Sequence, residues 1–171
     1  MVIVTGSGNQ GITASVPVIR YAKHIGASDE RLYRALLVSD LVTIHQKTGI
    51  GRLSAYCGAV SAGCGAGAGI AYLLGGDYRA IAHTIVNAVA ILSGTICDGA
   101  KPSCAAKIAS AVEAGILGYY MYVNDQQFRG GDGIVAKGVE NTIRNVGLLA
   151  SQGMKQTDRV ILNIMTGDQC L

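Results

Sequence analysis

Charged and aromatic residues are scarce in this sequence of 171 residues. Asp, Glu, Lys and Arg together make up 15% of it, and it contains one Phe and no Trp. Globular proteins carry roughly 25% charged residues. The net charge is +3 and the basic residues form no run, so nothing predicts a nucleic-acid-binding surface. We expect a tightly packed protein, and so few charges also favour association into a homo-oligomer.

The N-terminus and the cysteines indicate the cellular compartment. No basic segment precedes an apolar one with a cleavage site, so the first residues predict no signal peptide. Five cysteines in such a chain argue against a disulfide framework and favour a reducing compartment. We therefore predict a cytoplasmic protein.

Apolar residues recur at helical spacing along most of the chain, and no two strand-like runs are joined by a turn. Ser28 and Asp77 are typical N-caps. The spacing predicts a first helix from near residue 12 and further helices over about 29–49, 52–74, 77–96, 102–122, 139–151 and 157–165. The prediction is one all-α domain over residues 1–171, a compact bundle of about six to seven helices around a buried Gly/Ala-rich helix.

The Gly/Ala-rich segment raises the question of a membrane span. Residues 53–76 carry no charge, and about 20 apolar residues are enough to cross a bilayer. The segment is rich in Gly, Ala, Ser and Cys rather than Leu, Ile and Phe, so its transfer into lipid would be weakly favourable. Its glycine pairs Gly63/Gly67 and Gly65/Gly69 have the spacing that lets helices approach closely. We predict a buried helix and no membrane insertion.

Residues 6–11, GSGNQG, match the G-x-G-x-x-G pattern of dinucleotide-binding proteins. That fingerprint also needs a second parallel strand that ends in an acidic residue about twenty positions on. Asp29 and Glu30 stand near that distance, but they open a helix. The context therefore argues against a dinucleotide site, while glycine-rich amides before a helix suit a carboxylate.

Three cysteines are placed so that they can converge. Cys97 and Cys104 lie seven residues apart across a Gly/Pro corner, and Cys57 lies forty residues upstream of Cys97. Cys97 is predicted to end one helix and Cys104 to lie in the first turn of the next, where the helix dipole stabilises thiolates. Three thiolates of this kind predict an iron–sulfur cluster with one iron free of protein ligands. A structural zinc ion and inert buried thiols remain alternatives.

The other cysteines and the histidines fit this site less well. Cys64 lies on the same helical face as Cys57 but about 10 Å further along the axis, so we predict a small buried side chain. Cys170 is either a free thiol or a mobile fourth ligand at the C-terminus. The three histidines, His24, His45 and His83, show no metal-binding spacing and are predicted to be structural or exposed.

Four segments together resemble the L-cysteine desulfidase family. They are TGSGNQGI at 5–12, GRLSAYCG at 51–58, ICDGAKP at 96–102 and GGDG at 130–133. That family is closely related to the α chain of iron–sulfur L-serine dehydratases. The resemblance implies a lyase that is sensitive to oxygen, needs no pyridoxal phosphate and uses a [4Fe–4S] cluster. By position, Cys57, Cys97 and Cys104 would be the cluster ligands.

The implied reaction is β-elimination from a small amino acid, L-cysteine giving pyruvate, ammonia and sulfide. Ser7, Asn9 and Gln10 are candidates for holding the substrate, and Arg52 and Lys101 are candidate carboxylate partners. Family members are longer than this chain, so we expect the base outside it. The chain is then a fragment, inactive without an N-terminal segment or partner chain. L-Serine dehydratase and a non-enzymatic helical interaction domain remain alternative functions.

Overall fold

The computed structural model describes residues 3–167, and the chain folds into helices as the periodicity predicts. Seven α-helices are α1 (Gly8–His24), α2 (Asp29–Ile50), α3 (Gly58–Leu73), α4 (Tyr78–Leu92), α5 (Cys104–Val123), α6 (Val139–Leu148) and α7 (Lys155–Thr166). A π-helical segment, Leu149–Gly153, follows α6 directly. Within the described range the only extended pairings are two isolated bridges, Val4 with Ser7 and Tyr56 with Ile96. The all-α prediction is confirmed.

Helix α3 is the centre of the bundle and is the predicted Gly/Ala-rich buried helix. All but one of its sixteen residues are buried, and it packs against α1, α2, α4 and α5. Glycine and alanine make this possible because they let neighbouring backbones approach a helix on every side. A helix that is apolar all round belongs in a protein core or a membrane, and here it lies in the core.

The two glycine pairs of α3 face two different helices. A methyl group on Gly63 or Gly67 would lie 2.5 Å from backbone atoms of α5, at Ala111 and Gly115 respectively. A methyl group on Gly65 would lie 2.5 Å from the carbonyl oxygen of Ser39 on α2. The predicted close approach is therefore real and occurs on opposite flanks of one helix.

None of the helices within residues 3–167 has both the length and the apolar character that crossing a bilayer requires.

The capping predictions are confirmed for α2 and α4. The Ser28 hydroxyl accepts a hydrogen bond from Arg31 N, and Asp77 Oδ1 accepts one from Ala80 N at 2.9 Å. Helix α1 starts at Gly8, earlier than expected, because Ser7 serves as its N-cap and accepts from Gln10 N. These caps satisfy amides that would otherwise lack partners at the helix starts.

Two predicted helix ends are wrong. The small-residue helix was expected from Arg52 but begins at Gly58, and the fourth helix was expected to reach Cys97 but ends at Leu92. The reason is tertiary, because the segments before α3 and after α4 pair with each other instead of extending their helices. Helical periodicity in the sequence carries no information about this pairing.

The paired segments form one short antiparallel contact. Tyr56 and Ile96 make the bridge, Cys97 N donates to Ala55 O at 2.6 Å, and Cys57 N donates to Thr95 O at 3.1 Å. Tyr56 is almost completely buried, which anchors the contact in the core. The pairing brings Cys57 and Cys97 side by side.

Candidate functional site

A cavity of about 90 Å³ lies where the N-terminal ends of α1, α3 and α5 converge. We call it the thiol cavity. It is lined by Ser7, Asn9 and Gln10, by Cys57, Gly58 and Ala59, by Cys97, Gly99 and Ala100, and by Cys104, Lys107 and Ile108. The first turn of a helix presents unpaired amides and partial positive charge. Three such ends at one point favour an anionic ligand or thiolates.

All three predicted cluster cysteines line this cavity, each held by a different feature of the backbone. Cys57 is the N-cap of α3, Cys97 follows the bridge, and Cys104 is the first residue of α5, as predicted. Cys104 Sγ accepts a hydrogen bond from Lys101 N at 3.4 Å and donates one to Gly99 O at 3.6 Å. The tight turn through Gly99, whose φ is +88°, allows this arrangement.

The thiols of Cys57 and Cys97 share a hydrogen bond, and it separates their acidities. Donation from Cys57 lowers the pKa of Cys97 to about 6, helped by the Gly99 amide and the Lys107 charge and opposed by burial and Asp98. The same hydrogen bond, together with burial, raises the pKa of Cys57. At neutral pH the pair therefore carries one negative charge, centred on Cys97.

Lys107 is a site residue that the sequence reasoning missed. Its Nζ donates to Asp98 Oδ1 at 2.7 Å and to Ile96 O at 3.0 Å, so the ammonium is held beside the cavity that it lines. The signal was present in the sequence, because Lys107 follows Cys104 by three residues and therefore lies on the same face of α5.

Lys47 was also missed, and nothing in the sequence pattern indicates it. This α2 residue is only 5% exposed. Burial lowers its pKa, while the negative charges of Cys97 and Cys57 act in the opposite direction. Burying an ammonium without a partner is costly. A buried lysine near two thiols therefore favours negative charge on their sulfur atoms.

Two predicted substrate-binding residues do not line the thiol cavity. Lys101 pairs with Asp98 at 3.4 Å, on the outer side of the corner between Cys97 and Cys104. Arg52 is exposed in the segment between α2 and α3. The structure does bring Ser7, Asn9 and Gln10 to the cavity, where Thr5 Oγ1 donates to Gln10 Oε1 at 2.7 Å and orients that side chain.

The remaining cysteines and the histidines lie elsewhere. Cys64 is buried, as predicted, with its thiol donating to Ile85 O at 3.6 Å, and Cys170 lies outside the described residues. His45 Nε2 lies 2.8 Å from Glu140 Oε2 at the surface, and His83 stacks on Tyr122 with ring centroids 5.0 Å apart. Neither histidine lines the thiol cavity.

Among the described residues, cysteine thiols are the only metal-binding side chains in the lining of the thiol cavity. Over residues 3–167, no three or more His, Cys, Asp and Glu side chains are grouped so as to hold one ion. Thiolates that bind different irons of a cluster stand further apart than ligands of one ion, and such clusters are bound by cysteine. The cavity that the three thiols line has room for several water-sized groups.

The charge on Cys97 predicts a distinctive alkylation profile. At pH 6 about half of Cys97 should be thiolate, whereas a thiol of pKa 8.5 is only about 0.3% thiolate. A thiolate of lower pKa is also a weaker nucleophile, which reduces the resulting rate advantage about tenfold. In the metal-free chain we expect iodoacetamide to react with Cys97 about tenfold faster than with free cysteine at pH 6, with an inflection near pH 6. Peptide mapping by mass spectrometry measures the rate of alkylation at Cys97.

In Cys57→Ala the inflection should move to higher pH. An inflection above pH 8 in the unaltered chain would refute the assignment.

Taken together, the fold and the cavity define an all-helical protein with a thiol-lined site for a small ligand or cluster. The sequence model of the serine dehydratase alpha chain family matches residues 1–163. The chain belongs to this family. The family is associated with iron–sulfur serine dehydratases.

Curated relatives are similar over almost the whole chain. A UPF0597 protein of Desulfitobacterium hafniense is 68% identical over 99% of this chain, and one of Treponema denticola is 52% identical over 96%. A third, from Lachnoclostridium phytofermentans, is 54% identical over 96%. The chain spans about two fifths of the length of these relatives, between 38% and 40%. No solved structure matches it.

Proposed function

We propose that this chain provides the cluster-binding part of an iron–sulfur lyase that converts L-cysteine to pyruvate, ammonia and sulfide. The observation that supports this most strongly is the convergence of three thiols and three helix N-termini on one cavity. The desulfidase-like segments contribute directly to the cavity, since they contain Ser7, Asn9, Gln10, Cys57 and Cys97.

Cys57, Cys97 and Cys104 would hold a [4Fe–4S] cluster. When bound, the cluster would supply an iron without a protein ligand, a Lewis acid suited to a thiol or hydroxyl leaving group. Lys107 and the buried Lys47 would balance the negative charge of the thiolates, because both ammonium groups lie within electrostatic reach of Cys57.

We propose that the substrate carboxylate binds at the start of α1. The amides of its first turn carry partial positive charge, and the side chains of Ser7, Asn9 and Gln10 line the same wall. Lys107 provides a cation within the cavity lining. Arg52 and Lys101 remain predicted carboxylate partners. Their side chains would have to rearrange to reach the thiol cavity.

The reaction requires a base that we assign to no residue of this chain. Removal of the α-proton and cleavage of the β carbon–sulfur bond give aminoacrylate, whose imine tautomer takes up one water to give pyruvate and ammonia. The atoms balance as cysteine plus water giving pyruvate, ammonia and hydrogen sulfide. The long unmatched part of the relatives is the place where we propose that the base lies.

L-Serine is the second candidate substrate, favoured by the description of the family whose model matches. The same elimination from L-serine releases water in place of hydrogen sulfide. The thiol cavity contains no feature that recognises sulfur over oxygen, so only a comparison of substrates separates the two activities.

We also propose that the chain acts in the cytoplasm within a larger assembly, either with a further segment or partner chain or as a homo-oligomer. Large apolar side chains are exposed along one stripe of α2, with Tyr33, Leu37 and Leu41 about 60% exposed. These residues lie four apart and therefore share one helical face. Such a stripe supports contact with another polypeptide surface.

The test is to place this chain in the Desulfitobacterium hafniense relative, replacing the part that it matches. The chimera is reconstituted anaerobically with iron and sulfide and assayed for pyruvate and sulfide. We expect equal amounts of both from L-cysteine and a kcat/KM for L-cysteine above that for L-serine. The isolated chain is assayed in parallel and is expected to be inactive.

A Cys97→Ser chimera is the control and should release no pyruvate. A higher kcat/KM for L-serine would establish the second candidate. A chimera that incorporates the cluster and eliminates from neither amino acid would overturn both activities and favour the helical interaction domain.

A further inference from the structure

A second and larger cavity lies apart from the thiol cavity. Its volume is about 570 Å³, and it lies between the start of α4, the segment 127–130 and the start of α6. The two cavities share no lining residue. Small-molecule sites in proteins typically enclose 300–1,000 Å³, so this cavity has the size for an organic ligand. We call it the basic cavity.

Three cations line the basic cavity: Arg79, Arg129 and Lys137. None of their side chains has an ion pair with another residue of the 3–167 range. No Asp or Glu lines the cavity. Three acids lie close to the lining in sequence: Asp77 accepts from Ala80 N, Asp132 Oδ2 accepts from Arg129 N at 2.6 Å, and Glu140 Oε2 lies 2.8 Å from His45 Nε2. The lining itself therefore carries three cations and no carboxylate.

Arg79 and Arg129 both lie near His83, another residue of the cavity lining. Burial lowers the pKa of His83, and the charges of Arg79 and Arg129 lower it further, so both arginines lie near this ring. His83 is held in place by stacking on Tyr122. Guanidinium groups bind phosphate and carboxylate through two parallel hydrogen bonds.

Two polar atoms in the lining have no partner. His83 Nδ1 and Gln127 Oε1 are buried and make no hydrogen bond to residues of the described range. Leaving such an atom unpaired costs about 1–3 kcal/mol. Gln127 Oε1 can only accept, so a hydroxyl or amino donor that reached this buried atom would remove the cost. Phe128 and Val135 add apolar surface for the body of that ligand.

The walls of the cavity are rigidly built. Asn87 is fully buried, its Nδ2 donates to Gly118 O at 2.9 Å, and its Oδ1 accepts from Phe128 N at 3.0 Å. The Thr142 hydroxyl accepts from Ala136 N at 3.1 Å on the opposite wall. Sites supported in this way by buried hydrogen bonds are pre-formed rather than assembled on binding.

We propose that the basic cavity binds a small organic dianion, a phosphate monoester or a dicarboxylate that also carries a hydrogen-bond donor. Arg79 and Arg129 would bind the anionic group, with Lys137 adding positive charge. Gln127 would accept from the donor group. This ligand is distinct from the amino-acid substrate proposed for the thiol cavity.

The experiment is calorimetric titration of the 171-residue chain with glycerol 3-phosphate and with malate, each carrying two acidic groups and a hydroxyl. Glycerol serves as the neutral probe. We expect saturable binding of at least one dianion with a Kd below about 1 mM, and no binding of glycerol. Arg79→Gln and Arg129→Gln should each weaken binding at least tenfold.

Arg20→Gln is the matched control, because Arg20 is an exposed arginine of α1 outside the cavity lining. It removes the same charge and should leave Kd unchanged. Circular dichroism checks that each variant keeps its helices. Failure of both dianions to bind would overturn the proposal, as would an equal loss of affinity in Arg20→Gln and Arg79→Gln, which would indicate diffuse charge attraction.

Discussion

Anaerobic incubation of this chain with iron and sulfide is expected to load about four irons and four sulfides per chain, and Cys97→Ser is expected to abolish the loading. Cys57, Cys97 and Cys104 line one cavity. With one of them replaced, the cluster would be held by only two thiolates and would lose an iron–sulfur bond to the protein. Cys57→Ser and Cys104→Ser should have the same effect. Iron and acid-labile sulfide analysis, with the absorption spectrum, measures the outcome.

Cys64→Ala is the matched control for this experiment. It also removes a buried thiol from α3, but Cys64 lies outside the cavity lining and bonds to Ile85 O. We expect it to retain the full iron content. Equal iron in Cys97→Ser and the unaltered chain, or equal loss in Cys64→Ala, would contradict the assignment of ligands.

Gly67→Ala is expected to destabilise the core. The added methyl group would lie 2.5 Å from Gly115 Cα and 2.7 Å from its carbonyl carbon, so helices α3 and α5 would have to move apart. Overpacking of this kind typically costs 1–3 kcal/mol, and the better helix propensity of alanine returns about 1 kcal/mol. Because the obstacle is backbone that cannot rotate away, we expect a net loss of about 2 kcal/mol in the free energy of unfolding.

Urea unfolding followed by circular dichroism measures this loss. Gly94→Ala is the control, since a methyl group there meets no atom within 4 Å, and we expect a change within about 0.5 kcal/mol. If Gly67→Ala were as stable as Gly94→Ala, the close approach of α3 and α5 would not limit the packing of the core.

The helices were predictable because their signals are local. Ser28 and Asp77 cap the helices that they were expected to cap, and the glycines of residues 53–76 indicated a buried helix with close neighbours. Periodicity failed where the chain pairs with a distant segment. Helix α4 keeps its apolar spacing as far as Ile96, but Tyr56 pairs with that residue and the helix ends at Leu92.

The candidate site was predictable in part. The spacing of cysteines and a Gly/Pro corner led to Cys57, Cys97 and Cys104, and the glycine-rich motif led to Ser7, Asn9 and Gln10. The structure brings all six to one cavity. Arg52 and Lys101 were chosen because they neighbour the motifs in sequence, yet neither lines the cavity, and Lys107 does.

The sequence by itself determined the helical class, the buried Gly/Ala-rich helix and the thiols around which a site had to form, because each depends on residue type and spacing over one or two helical turns. Tertiary structure alone decided that α1, α3 and α5 begin at the same point, that Lys47 lies buried behind the thiols, and that a second cavity gathers Arg79, Arg129 and Lys137. These features join segments that are up to about a hundred residues apart. Their contacts depend on how whole helices pack, which no local pattern encodes.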